Sequence, residues 1–393
     1  MPKTLLTRMW RIMRVAWHHP LVLRTGRAGK LRVNLSQEPD MHIDKTKPVM
    51  VTGATGYVAG WLVSRLLQEG LTVHAAVRDP DDASKLHPLA ALAESMPGTI
   101  HFFAADLLAP GSYQKAMQGC EVVFHTASPF TLDIQDPVKE LIEPAQLGTR
   151  NVLESANGTP SVKRVVVTSS CAAIYGDNAD LAKTPEGLFT EEIWNTSSSV
   201  DHQAYSYSKL LAEKEAWSIA KKQDRWHLVT INPSLVIGPG VNPNGTSESF
   251  NLIRQMGDGT LKMGVPDIGF GVVDVRDLAE AHFRGGFVPE AKGRFIVSGH
   301  NTSFLKMAET LLERYGARYP IPRRKLPKWL VWTVGPLMNK GLTRKMISLN
   351  VDLPWRADNR RSREILGVSY RPMQDSMNDF FAQLIESGRI KAR

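Results

Sequence analysis

A short apolar run breaks into glycines at Val51-Thr52-Gly53-Ala54-Thr55-Gly56-Tyr57-Val58-Ala59-Gly60 and then continues with helical periodicity. That order writes a strand, a tight turn and a helix start into ten residues, and few folds accommodate it. Gly53 and Gly56 lack the Cβ atoms that keep a backbone away from a pyrophosphate. A helix starting near Tyr57 and Val58 would aim its amides and positive dipole end at the phosphates. The third glycine of the spacing is replaced by Ala59, a change that close helix–strand packing tolerates. Glycine spacing alone is weakly specific, so the rest of the chain has to support it.

The support comes from alternation. Strands are expected over 49–52, 72–77, 100–104, 122–125 and 164–168, with helical segments between them, the first over 58–69 and stopped by Gly70. Strands this apolar need cover on both faces. The expected fold class is therefore α/β, a Rossmann-type doubly wound parallel sheet with a smaller C-terminal substrate-binding domain. The expected division is a basic, unstructured leader over 1–45, a Rossmann domain over 46–240 with a return segment near 271–300, and a substrate region over 241–270 and 301–393. The segment 272–275 is expected to return to the main fold, and 302–315, 325–338 and 373–387 in the substrate region to be helical. Trp329, Trp332 and Trp355 are read as packing residues of that region.

Charge bears on partners. The chain carries a formal +9 over 393 residues. Residues 1–40 hold eight cations against Glu38 and Asp40, so six of the nine charges sit in the leader and only +3 belongs to the rest. A nucleic-acid partner is not expected of that body. The segment 5–17 has an amphipathic pattern interleaved with arginines, open to three readings: an unstructured or mis-assigned leader, which is favoured, a membrane-contacting or targeting element, or a docked arm. No apolar run is long enough for a transmembrane helix. Cys120 and Cys171 are the only cysteines, which fits a reducing, cytoplasmic setting and neither a disulfide framework nor a metal site.

Candidate site residues follow the strand ends. Strand two ends in Val77-Arg78-Asp79-Pro80, where Arg78, with Lys85 on the next helix, favours the 2′-phosphate of NADP over the ribose hydroxyls of NAD; the bland alternative pairs Arg78 with Asp79 or Asp82. Asp106, followed by Leu107, ends strand three and can accept from an adenine amino group or cap the next helix. His125-Thr126-Ala127-Ser128 follows strand four, and His125 is read as a packed histidine whose neighbouring backbone at Thr126 and Ala127 faces a nucleotide. Strand five runs into Thr168-Ser169-Ser170, and Tyr205 and Lys209 are spaced i and i+4, on one helical face. A cation beside a phenol stabilises phenolate and lowers its pKa, which would make Tyr205 a usable acid and base near neutral pH. Tyr207 points elsewhere, and Tyr175 is read as a pocket wall.

Together with Asn232-Pro233-Ser234-Leu235-Val236-Ile237-Gly238-Pro239 and Val273-Asp274-Val275-Arg276-Asp277-Leu278-Ala279-Glu280-Ala281-His282, these motifs resemble the extended short-chain dehydrogenase/reductase family. The similarity is to its branch of dihydroflavonol reductases, cinnamoyl-CoA reductases and yeast methylglyoxal (aldehyde) reductases, and it covers nearly all of 48–390. The resemblance implies a metal-free, NADPH-dependent reduction of an aldehyde or ketone. Ser170 would hydrogen-bond the substrate carbonyl, Tyr205 protonate it, Lys209 hold the nicotinamide ribose, and Pro233 lie near the carboxamide. Gly53, Thr55, Gly56, Tyr57, Val58, Asp106, Leu107, Thr126 and Ala127 would complete the NADP site, in a monomer or homodimer. Two other outcomes stay open: a nucleotide-sugar epimerase or dehydratase with tightly held NAD, and a silent nucleotide-binding scaffold. The flavonoid reductases have asparagine where this chain has Tyr175, which leaves ketones, aldehydes and thioesters as substrates.

Overall fold

The structure, a computed structural model, describes residues 42–128, 135–338 and 341–391. The leader up to residue 41 lies outside the described residues, as do Pro129 and Phe130. Twelve strands are described: β1 (Val49–Thr52), β2 (Thr72–Val77), β3 (Thr99–Ala104), β4 (Val122–His125), β5 (Arg164–Thr168), β6 (His227–Pro233), β7 (Leu235–Ile237), β8 (Val265–Pro266), β9 (Gly269–Asp274), β10 (Gly293–Val297), β11 (His300–Ser303) and β12 (Lys325–Leu326). The α-helices are α1 (Tyr57–Gln68), α2 (Ala83–Glu94), α3 (Gln114–Met117), α4 (Glu143–Asn157), α5 (Ala204–Ala220), α6 (Glu248–Gly257), α7 (Val275–Phe287), α8 (Phe304–Tyr315), α9 (Lys328–Met338), α10 (Arg344–Asn350), α11 (Arg360–Glu364) and α12 (Met373–Glu386).

The main sheet has the order β10-β6-β5-β4-β1-β2-β3, all parallel. Its strands are buried on both sides because successive side chains enter different cores. Val49 and Val51 of β1 join Leu62, Leu66 and Leu278 from α1 and α7, while Met50 between them joins Val152 and Ala156 of α4 on the other face. The same switch recurs in β5, where Val166 enters the first core and Val165 and Val167 the second. This is the doubly wound α/β architecture expected. Strand order reverses between β1 and β4, which opens the crevice where such sheets bind ligands.

Residues 272–275 pack back on the main fold through the first core, which Val273 joins beside Val51 and Leu278. Their strand, β9, pairs with β7 and β11 in a separate three-stranded sheet, and the strand that joins the main sheet is β10, alongside β6. Gly271 leaves room where a Cβ would come within 2.3 Å of the Trp355 ring, so β9 also lies against the C-terminal segment. One expected boundary needs correction: the leader ends earlier than residue 45. Ile43 is buried in the first core, and the Asp44 amide donates to Glu121 Oε2 at 2.8 Å.

The C-terminal residues build a third core from Phe250, Met307, Leu311, Phe380 and Phe381, into which Tyr57 of α1 also packs. Trp355 is buried as expected, but Trp329 and Trp332 are not packing residues: they are 68% and 39% exposed on α9.

Candidate active site

At the crevice, backbone geometry does most of the shaping. Gly53 has φ +60°, and a Cβ there would stand 3.0 Å from the Ala127 Cβ, so both conformation and space demand glycine. Gly56, the residue capping the start of α1, has no side chain to accept from the first-turn amides, and its own amide bonds Gly53 O at 2.9 Å. The amides of Tyr57 and Val58 therefore face the crevice mouth without an intrahelical acceptor, as an anion site requires. Tyr57 itself points away, donating to Gly238 O at 2.6 Å, and Val58 packs on the first core. Thr55 and Gly56 line a cleft with Lys85, Gly240 and Val241.

Thr52 organises the opposite wall. Its hydroxyl accepts from the amides of Thr126 (3.1 Å) and Ala127 (3.0 Å) and meets His125 Nδ1 at 3.0 Å, while Thr126 Oγ1 donates to Thr52 O. With two amides donating to it, the hydroxyl gives its own proton to Nδ1, which assigns the histidine proton to Nε2. Burial first, then the charge of Lys209, pushes His125 down to about 3. It is a neutral packed histidine, as read from sequence.

The adenosine end separates the two cations expected there. Arg78 is exposed and makes no hydrogen bond or ion pair among the described residues, so the pairing with Asp79 or Asp82 does not occur. Lys85 is committed to Asp82, at 2.6 Å. The Asp106 carboxylate accepts from the Leu108 amide at 2.7 Å, closing a turn and not capping a helix, because α3 starts only at Gln114. Leu107 is seated against α4 where Gly148 leaves room, and Asn151 holds its carbonyl. Pro233 ends β6 opposite Val297.

Ser170, Tyr205 and Lys209 do come together. Ser170 follows β5, accepts from the Ala172 amide at 3.1 Å and hydrogen-bonds the Tyr205 hydroxyl. Lys209 Nζ lies 5.6 Å from the Tyr205 ring centroid and donates to Ser128 Oγ at 2.7 Å. The expected lowering of the phenol is not what these residues give. Burial pushes Tyr205 up to about 12, against a smaller downward pull from Ser170, although the residue as a whole keeps 39% of its surface exposed. Burial likewise pushes Lys209 down to about 8. Desolvation of both ions outweighs their attraction at this separation. The hydroxyl of Tyr207 has no partner among the described residues, and the half-buried Tyr175 ring stacks on Phe189 at 4.7 Å.

Sequence reasoning missed Glu213, one turn beyond Lys209 on α5. Its carboxylate has no exposed surface and accepts from Ser169 Oγ, Asn232 Nδ2 (2.7 Å), Thr230 Oγ1 (3.2 Å), Trp217 Nε1 (3.2 Å) and Arg294 Nε (2.6 Å). It fastens the helix to β5, β6 and β10 at once. The signal was available: Tyr205, Lys209 and Glu213 share one face, and a carboxylate on an inward face needs partners. On the next strand position Thr168 Oγ1 donates to His282 Nε2 at 2.7 Å, because His282 Nδ1 donates to Leu278 O. At the other end of the helix, Asp177 accepts from His202 Nε2 (2.7 Å) and Asn350 Nδ2 (2.7 Å), bracing Gln203, whose φ of +58° is unusual for a side-chain-bearing residue.

Comparison with known proteins shows the family. Residues 49–285 match the model of the NAD dependent epimerase/dehydratase family. The chain belongs to that family. It is an oxidoreductase of the extended short-chain dehydrogenase/reductase type, as its motifs suggested. It is 40% identical to a cinnamoyl-CoA reductase of Medicago truncatula over 273 residues, covering 68% of this chain and 80% of that one. It is 33% identical to a dihydroflavonol 4-reductase of Gerbera hybrida, over 72% and 76% of the two chains. The structure of yeast methylglyoxal/isovaleraldehyde reductase Gre2 complexed with NADPH superposes with a TM-score of 0.68 at 27% identity, over 87% of this chain and 100% of that one.

Replacing Glu213 by alanine strands Arg294 in the core and should cost about 3–5 kcal/mol of stability in denaturant unfolding. The double change Glu213→Leu with Arg294→Met should recover part of that loss. A Glu213→Ala protein as stable as the parent would contradict the anchoring role.

Proposed function

We propose that this oxidoreductase reduces an aldehyde or ketone to an alcohol with NADPH. The observation that carries the reading is the meeting of Ser170, Tyr205 and Lys209 beside a glycine cradle whose shape suits a dinucleotide and whose far end carries an unpaired Arg78. Gly53, Gly56 and the first amides of α1 would hold the pyrophosphate, and Arg78 the 2′-phosphate, with Lys85 contributing less because Asp82 already engages it. When bound, the cofactor supplies the hydride.

The chain's own groups manage the oxygen and its proton. Ser170 and Tyr205 hydrogen-bond the substrate carbonyl oxygen, polarising it before reduction. With its phenol held near 12, Tyr205 stays protonated at neutral pH and gives its proton to that oxygen as negative charge develops. Lys209, held down near 8, is a cation below that pH; it stabilises the phenolate left behind and would take the ribose hydroxyls from its post on Ser128. The buried thiols of Cys120 and Cys171 suit a reducing, cytoplasmic compartment.

Tyr205→Phe should remove most turnover, by roughly the 10²–10⁴-fold range of a lost acid catalyst, while NADPH still binds. Tyr207→Phe is the matched control. Greater damage from the Tyr207 change in steady-state assays would refute the assignment. For the cofactor, Arg78→Ala should weaken NADPH by about tenfold to over a hundredfold, as a charge-assisted contact would, and leave NADH nearly unchanged in fluorescence titrations. Equal losses for both cofactors would remove the case for NADP selectivity.

A further inference from the structure

α9 shows an amphipathic pattern turned inside out. Val331 and Gly335 face inward onto α10, where Gly335 lets Ile347 Cδ1 approach to 3.3 Å of a Cβ position. The other side presents Trp329, Trp332, Pro336 and Leu337 at i, i+3, i+7 and i+8, the spacing of a face meant to be covered. Leu337 and Met338 are 87% and 82% exposed. Scattered exposed apolar residues are ordinary, but a contiguous set on one helix marks a contact surface.

The charge around it identifies the partner. From residue 314 to 351 the sequence holds nine lysines and arginines and no aspartate or glutamate. Arg344 stacks on Trp332 at 4.6 Å, Lys345 is exposed beside it on α10, and Arg324 donates to Met263 O. The nearby carboxylates Asp267 and Asp352 both pair with Lys325. Indole rings, aliphatic tips and unopposed cations on one face match the headgroup boundary of an anionic bilayer, where rings and stems sink and charges stay with the phosphates. A second copy of the chain is a poor occupant, because a two-fold contact would set the same cations against each other. No helix among the described residues is long and apolar enough to cross a membrane, and α9, with 11 residues, can lie only in its plane.

We propose that α9, with Arg344 and Lys345, docks this enzyme on an anionic lipid surface. The test is sedimentation of the full-length protein with vesicles of phosphatidylcholine alone or mixed with phosphatidylglycerol. Binding is expected to the mixed vesicles and should weaken as salt rises. Trp329→Ser with Leu337→Ser should cut it by more than about tenfold, and Arg344→Ser with Lys345→Ser by about fivefold per cation. Melting temperature and turnover of a small water-soluble carbonyl check that the variants have folded. The proposal fails if the parent ignores phosphatidylglycerol, or if both variants bind as well as the parent, which would assign the binding to another segment such as the leader. It fails equally if lipid-free sedimentation finds a dimer that Trp329→Ser with Leu337→Ser turns into a monomer, since the face would then serve self-association.

Discussion

The buried carboxylate of Glu213 is the point on which the candidate site depends. An uncompensated charge cannot stay in a dry interior, so it must collect donors, and it does so from β6, β10, the residue just after β5 and its own helix. Those donors fix the position of α5 over the ends of β5 and β6. Arg294 carries the tie outward, since its Nη1 also donates to the carbonyls of Glu191 and Ile193. Ser169 is consumed by this anchoring, and Thr168 by His282, which leaves Ser170 as the hydroxyl of that strand end engaged with Tyr205. The Asp177–His202 contact holds the start of the same helix to the segment that follows Ser170. The two hydroxyls that would grip a substrate oxygen are thus set by polar contacts at both ends of one helix, which is the kind of preorganisation that keeps a reaction centre from relaxing.

The nucleotide crevice is built differently, from backbone and absent side chains. Gly53 accepts a left-handed turn against Ala127, Gly56 leaves the amides of α1 uncapped, and Thr52 positions the loop after β4 with one hydroxyl. Such a surface recognises phosphate and ribose but confers little preference between the two nicotinamide cofactors. Under the proposed reading that preference would fall to the end of β2, where Arg78 stands without a carboxylate partner.

Much of this was legible in the sequence, because local rules act locally. The first five strands, the glycine turn and the shared face of Tyr205 and Lys209 follow from periods of two and 3.6 residues. What escaped depends on distant chain. Glu213 shares the face of Tyr205 and Lys209 in the sequence, but its main partner, Arg294, lies 81 positions later and no local rule finds it. Residues 272–275 carry a strand pattern, but pattern does not say which sheet they join, and their partners β7 and β11 are set by the fold as a whole. The helix expected over 325–338 is present as α9 from Lys328, but its pattern cannot say that Trp329 and Trp332, expected to pack, turn outward. The phenol of Tyr205 was expected to be lowered by its neighbouring cation; the burial that overrides this comes from packing of the whole cleft.

The account's central claim is net hydride transfer to a carbonyl carbon at Ser170, Tyr205 and Lys209. The most direct measurement incubates the purified protein with NADPH carrying deuterium at nicotinamide C4 and a panel of aldehydes and ketones, then locates the label by mass spectrometry. The account predicts stoichiometric NADP formation with deuterium on the new carbinol carbon, and no transfer in Tyr205→Phe. Tightly held NAD that is regenerated without net consumption, or cofactor binding with no label moved to any carbonyl, would contradict it.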